Sequence, residues 1–367
     1  VRFTLTNEEQ ELRDTLRRFL ASHLPVDAIR RQMETDEPLP RALWSQINDE
    51  LGLAGALVPE QHGGLGLGFM EAAVVLQEIG RGVAPLPFLS SSVLAVGLLS
   101  ASDHPRAAEL LGAIAAGEAV VALAPATTAS LRAPSVELDG GRATGHSRFV
   151  LDGQIATHLL VMAEPVTIGV VDTSAVGVTL QRLTTLDLTR PMAEVTIDRA
   201  PCDILLEGPT AARALARAEV VAACGIAQDM VGGAARVLEF SVEYAKARHQ
   251  FGRPIGSFQA IKHRLADMLV DVECATSSAL AAASAVAEGA DDAELLARMA
   301  KSYCGDAYYR IGAASIQVHG GIGFTWEHDC HLYFKRAKAD QLLFGDGAGQ
   351  RMRVGELLSI SGDPAPN

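Results

Sequence analysis

Arg248, Phe251 and Gln259 stand in one short stretch, R-H-Q-F-G-R-P-I-G-S-F-Q, that interrupts two long alanine-rich helical patterns. Its Gly-Arg-Pro-Ile-Gly segment cannot continue a helix, because proline lacks a donor and glycine favours a turn. Two helices therefore meet at a tight connection with a guanidinium and an amide beside it. Arginine offers a planar fork of donors, which suits the oxygens of a diphosphate. The same stretch also reads as an ordinary helical hairpin with a polar loop. A second stretch, Gln317-Val318-His319-Gly320-Gly321-Ile322-Gly323-Phe324, follows 58 residues after Gln259. Its glycines allow close backbone approach to a ligand, and a glutamine at a helix end can bond a phosphate or ribose.

The elements that must carry these residues fall into three blocks. Residues 1–118 read as helical: Thr6 and Asn7 before Glu8, Glu9 and Glu11 make a capped start, and Leu12, Leu16 and Leu20 recur at helical spacing. Pro40 opens a segment through Trp44 to Leu51, and the Gly63–Gly68 turn leads into further helices. Residues 119–206 change texture, with short β-like runs at 119–124, 148–151, 158–163, 167–171, 176–180 and 194–197. Turn signals at Asp139-Gly140-Gly141 and Asp152-Gly153 punctuate them, so a small β-barrel domain is expected. From 207 to 361, Gly208-Pro209 starts a helix to Ala247, a second spans Ser257 to Glu288, and Asp291 and Asp292 cap a third. Shorter helices are expected over His328–Leu343 and Gly347–Ile360, then a disordered tail at 362–367. The fold class is α+β, with long helices forming a C-terminal bundle.

A chain of 367 residues can hold two or three modules. Aromatics are 5% against a hydrophobic fraction of 49%, so the core is built from small aliphatic residues, which favours closely packed helices. A net charge of −13 argues against nucleic acid or an anionic membrane as partner. The longest uncharged run, Gly82–Ser102, carries Pro85, Pro87 and three serines and reads as a loop followed by a buried helix. Five cysteines without metal-type or C-x-x-C spacing read as reduced thiols in a cytoplasmic protein, and no signal peptide or metal site is expected.

Together, R-x-x-F-G-x-P-I-x-x-F-Q, Q-x-H-G-G-x-G-F and Val58-Pro59-Glu60-Gln61-His62-Gly63-Gly64-Leu65-Gly66 resemble the acyl-CoA dehydrogenase family. The resemblance spans nearly the whole chain and is densest in about its last 160 residues. It implies the family's order of helical domain, β-domain and helix bundle. It implies FAD, an acyl-CoA substrate, and an electron-transferring flavoprotein or similar acceptor. In that chemistry a carboxylate removes the α-proton, the flavin accepts the β-hydride, and the thioester carbonyl is polarised by hydrogen bonds. Each FAD is shared between subunits. Carried over by motif, the residues holding a neighbour's diphosphate and adenosine are Arg248, Phe251, Gln259, Gln317, Gly320 and Gly321. His319 has no part in this mechanism and reads as a packed or backbone-bonded ring.

Departures from the family pattern concern ring binding and the base. The acidic glycine-serine segment after the first strand is here Ala124-Pro125-Ala126-Thr127-Thr128-Ala129-Ser130, and the aromatic segment over the ring is Phe149-Val150-Leu151-Asp152-Gly153. The Tyr-Glu-Gly-Thr turn that carries the base becomes Leu343-Phe344-Gly345-Asp346-Gly347, placing Asp346 or Gly345 at the Glu position according to the anchor chosen. The alternative position for the base, on the first bundle helix, is Ala222, with Glu219 the nearest acid, read as helix surface. Asp346 is thus the candidate catalytic base, or a cap for the following helix. The pattern resembles the base-lacking subunit of actinobacterial heterotetrameric (α2β2) dehydrogenases that shorten steroid side chains. In those assemblies a homologous subunit supplies the base. A homotetramer using Asp346, or a scaffold without flavin, are the alternatives.

Overall fold

A computed structural model describes residues 4–35 and 41–359. The expectations for Pro40, Ile360 and the 362–367 tail lie outside the described residues. The N-terminal block is helical: α1 (Asn7–His23), α2 (Val26–Met33), α3 (Arg41–Leu51), α4 (Phe69–Arg81), α5 (Val96–Leu99) and α6 (Pro105–Ala115). Thr6 caps α1 reciprocally: its hydroxyl accepts from the Glu9 amide at 3.2 Å, and the Glu9 carboxylate accepts from the Thr6 amide at 2.8 Å. The uncharged run after Gly82 forms a buried π-helical turn, Phe88–Ala95, that continues into α5. This is the expected loop followed by a buried helix, and its serines bind it to its surroundings. Ser91 accepts from the Val121 amide at 3.0 Å and Ser90 donates to Asp152 at 2.6 Å, tying the helix to the β-domain.

The β-domain contains β1 (Val121–Ala124), β2 (Val136–Asp139), β3 (Arg142–Leu151), β4 (His158–Ala163), β5 (Thr167–Asp172), β6 (Val178–Arg182), β7 (Met192–Pro201) and β8 (Asp203–Glu207). They form two four-stranded sheets, ordered β1-β4-β5-β8 and β2-β3-β7-β6, packed against each other as the small β-domain expected between the helical blocks. Val150, Val161, Val195 and Ile197 share a core of their own. The Asp139-Gly140-Gly141 signal is a tight hairpin between β2 and β3, with both glycines at positive φ (56° and 74°).

The bundle comprises α7 (Gly208–Ala247), α8 (Gln259–Glu288), α9 (Ala293–His319), α10 (Cys330–Leu342) and α11 (Gly347–Leu357). Glycines set how close α7 lies to its neighbours. A Cβ on Gly232 would sit 1.8 Å from the Gln77 carbonyl oxygen, and one on Gly80 would sit 2.0 Å from that of Asp229. Only glycines allow α4 and α7 to cross at that separation. Helices α7 and α8 are long and apolar enough to cross a membrane, yet 78% and 56% of their most apolar windows are buried within the chain. One expected cap fails: Asp292 occupies the N-cap of α9, but its side chain makes no capping hydrogen bond.

Candidate active site

Helices α7 and α9 end, and α8 begins, at the same end of the bundle. Tyr244 on α7 stacks against His319 on α9 at 4.3 Å, and its hydroxyl reaches the His319 carbonyl at 3.4 Å. Arg248 ends α7, Gln259 begins α8, and Gln317, Gly320 and Gly321 close α9. All of these, with Phe251 at 90% exposure, face outward. The turn is fixed by the Ile255 amide bonding the Arg248 carbonyl at 2.8 Å and by Arg253 lying 4.2 Å over the Phe258 ring. Nothing lies within 4 Å of where a Cβ would stand on Gly320 or Gly321. Among the described residues no acid pairs with Arg248. An unpaired guanidinium, two amides and an open glycine backbone fit a diphosphate-bearing cofactor.

His319 is buried. Its Nδ1 donates to the Ser315 carbonyl at 2.8 Å, and burial lowers its pKa. His319, His328 and Cys330 bring possible ligand atoms within 4.8 Å of one another. The His328 Nδ1, however, accepts from the Cys330 amide at 3.2 Å, which leaves the ring proton on Nε2.

Three pockets share walls. One of about 480 Å³ lies between the 93–101 helical segment and α7. One of about 280 Å³ lies between the β-domain and α10, lined by Thr128, Phe149, Arg190 and Leu343 among others. A middle chamber of only about 20 Å³ shares Leu94 with the first and Thr128, Phe149 and Leu343 with the second. From the turn expected to carry a base, this middle chamber receives Leu343 and Phe344. The Phe344 amide bonds the Thr128 carbonyl at 2.8 Å, clamping the turn onto the loop after β1.

Asp346 points elsewhere. It is the N-cap of α11, with extended backbone (φ −74°, ψ 171°), and its carboxylate accepts from the Gly349 amide at 2.8 Å. Phe344, at positive φ (60°) and buried, lines the chamber, where the sequence placed Asp346 or Gly345 at the base position. Ala222 is fully buried. Glu219 is not a free surface acid: it accepts from Ser130 at 2.7 Å and pairs with Arg132 at 3.0 Å and Arg298 at 3.8 Å.

Sequence reasoning missed the charge network beneath these cavities. Arg190 pairs with Asp229 (3.1 Å) and Asp340 (2.8 Å), while Arg336 pairs with Asp229 (3.0 Å), Asp340 (3.7 Å) and Asp187 (3.9 Å). All five side chains are buried, so the β-domain, α7 and α10 are locked together by charges that cannot reach water. Burial pushes the Asp340 carboxyl up to about 7, whereas for Asp229 burial is outweighed by Arg336 and Arg190, which hold it low. Asp152, below Ser90, is raised to about 6 by burial, against the Ser90 hydrogen bond and the two arginines. A signal was present: Gln228 and Asp229 are the polar pair within the apolar run Val220–Ala235 of α7.

A helical domain, a two-sheet domain and a long-helix bundle, with cavities between them, have the layout expected of an acyl-CoA dehydrogenase. The family models for the acyl-CoA dehydrogenase N-terminal and C-terminal domains match residues 6–118 and 217–358. An acyl-CoA dehydrogenase of Mycobacterium tuberculosis, IpdE2, is 36% identical over 334 residues, 91% of this chain and 92% of that protein. Among solved structures, the ChsE4-ChsE5 complex from the same organism superposes with a TM-score of 0.88 at 27% identity, covering 99% of this chain and 100% of that one. A variant of the Tcur3481-Tcur3483 steroid ACAD gives 0.87 at 28%, covering 97% and 99%. The chain belongs to the acyl-CoA dehydrogenase family, whose members are oxidoreductases and whose cofactor is FAD.

Proposed function

We propose that this chain is one subunit of a heteromeric acyl-CoA dehydrogenase that desaturates a bulky acyl-CoA thioester of steroid side-chain type between Cα and Cβ. It holds the diphosphate and adenosine end of an FAD, and a homologous subunit supplies the base. The observation that carries this reading is the middle chamber. It has room for only about 20 Å³, and the turn where a carboxylate would stand contributes Leu343 and Phe344 to it. FAD, when bound, supplies the hydride acceptor. This chain's part is binding and orientation: Arg248 and the Gln259 and Gln317 amides would hold the diphosphate and its sugar, Phe251 would give an apolar wall, and Gly320 and Gly321 leave room for the ligand. The similarity to a steroid ACAD and to a two-component complex supports both the substrate class and an α2β2 assembly. An electron-transferring flavoprotein or similar acceptor would take the electrons.

Expression with and without a homologous subunit that carries a carboxylate in the corresponding turn tests the proposal. The chain alone should purify without the absorbance of bound flavin near 450 nm, and the pair should purify yellow. A yellow, active homotetramer of this chain alone would overturn it.

A further inference from the structure

Between α7 and α8 the chain makes a minimal hairpin of β9 (His249–Gln250) and β10 (Arg253–Pro254), antiparallel, with Gln250 opposite Arg253. Its two-residue loop is Phe251-Gly252, with φ of 52° and 77°. Two positive φ angles in succession are those of a type I′ turn, whose favoured first residue is asparagine, aspartate or glycine. A bulky side chain is strained there. Phe251 is also 90% exposed, so no burial in this chain's own core offsets the strain. Instead its ring meets that of half-buried Phe258 edge to face, with centres 6.0 Å apart and planes at 85°. Arg253 covers the Phe258 ring in turn, its guanidinium carbon 4.2 Å from the ring centre.

We propose that Arg253 and Phe258 are positioning residues for the cofactor: they hold the strained Phe251 ring off this chain's surface, ready to close against an FAD shared with the neighbouring subunit. The inference rests on the reading that this corner holds a neighbour's FAD, and adds two residues that reach the cofactor only through Phe251. Edge-to-face ring contact and a cation over a ring face are both directional, so together they select one orientation of Phe251. An exposed ring loses rotamer freedom when it closes on a ligand, and a stack formed beforehand lowers that cost.

Titration of FAD into the deflavinated assembly, read by the change in flavin absorbance, tests it as a double-mutant cycle. Phe251→Ala should weaken FAD binding about tenfold. Arg253→Gln and Phe258→Leu should each weaken it about threefold, and Phe258→Tyr, which keeps the ring, should match the unaltered chain. On the Phe251→Ala background neither Arg253→Gln nor Phe258→Leu should add to the loss. Phe251→Asn suits the turn, so it should slow hydrogen exchange at the Ile255 amide, which bonds the Arg248 carbonyl at 2.8 Å, yet weaken FAD binding as Phe251→Ala does. The proposal is overturned if Phe251→Ala weakens binding while Arg253→Gln or Phe258→Leu leaves it unchanged. It is overturned equally if their losses persist in full on the Phe251→Ala background. Unchanged binding in Phe251→Ala itself would remove the reading of the corner, and this inference with it, so the two failures are distinguishable.

Discussion

Replacing Asp346 separates a base from a cap. Its carboxylate accepts from the Gly349 amide at 2.8 Å and starts α11 with the extended backbone of an N-cap. Asparagine can make the same bond, so Asp346→Asn should leave stability nearly unchanged. Alanine cannot, and the loss should be about 1 kcal/mol. With an unfolding entropy of about 2.1 cal/mol/K per residue, that lowers Tm by only about 1 °C if the chain melts as one unit. Denaturant titration is therefore the better stability assay. Turnover is the decisive contrast. A base converted to an amide loses about 10²–10⁴ in rate, whereas a cap converted to asparagine leaves flavin reduction by an acyl-CoA within a few-fold. The assay is stopped-flow flavin reduction in the complete assembly. A hundredfold loss in the Asn variant with unchanged stability would refute the geometric argument.

Three further outcomes follow from the same geometry. Arg248→Ala removes the corner's cation and should weaken flavin binding roughly tenfold or more, read as the FAD concentration needed to restore the spectrum. Arg336→Met strands three buried aspartates beside one remaining arginine and should cost about 3–5 kcal/mol, measured by chemical denaturation. Asp152, held near 6 in the fold against 3.8 unfolded, keeps its proton longer when folded, so stability falls as pH rises from about 4 to 6 and is level above. The two-unit difference corresponds to about 3 kcal/mol. Asp152→Asn preserves an acceptor for Ser90 and should flatten that slope while raising stability at pH 7, seen as the denaturation midpoint across that range.

The long helices were legible because each has a clear punctuation: Gly208-Pro209 opens α7, and the Gly252–Pro254 turn separates it from α8. The capping box at Thr6 and the hairpin at Gly140-Gly141 were likewise local signals with local causes. Strands β2 and β8 and most of β3 escaped because their exposed faces interrupt the apolar pattern. That Arg248, Gln259 and Gln317 meet at one end of the bundle could be read because a motif keeps them within two short stretches. The closed chamber could not, since Phe344 acquires its meaning from positive φ and from Leu94 and Leu131, which lie far away in the chain. The Arg190–Asp229–Arg336 network was equally hidden: five ordinary charges become a lock only when two domains bring them together.

The count of flavins per polypeptide in the purified assembly bears most directly on the claim that this chain serves a partner's site. Released FAD measured against chain content by quantitative amino-acid analysis should give two FAD for every four chains, with this chain and its partner in equal number. Four FAD per four chains, or full occupancy in an assembly built of this chain alone, would contradict it.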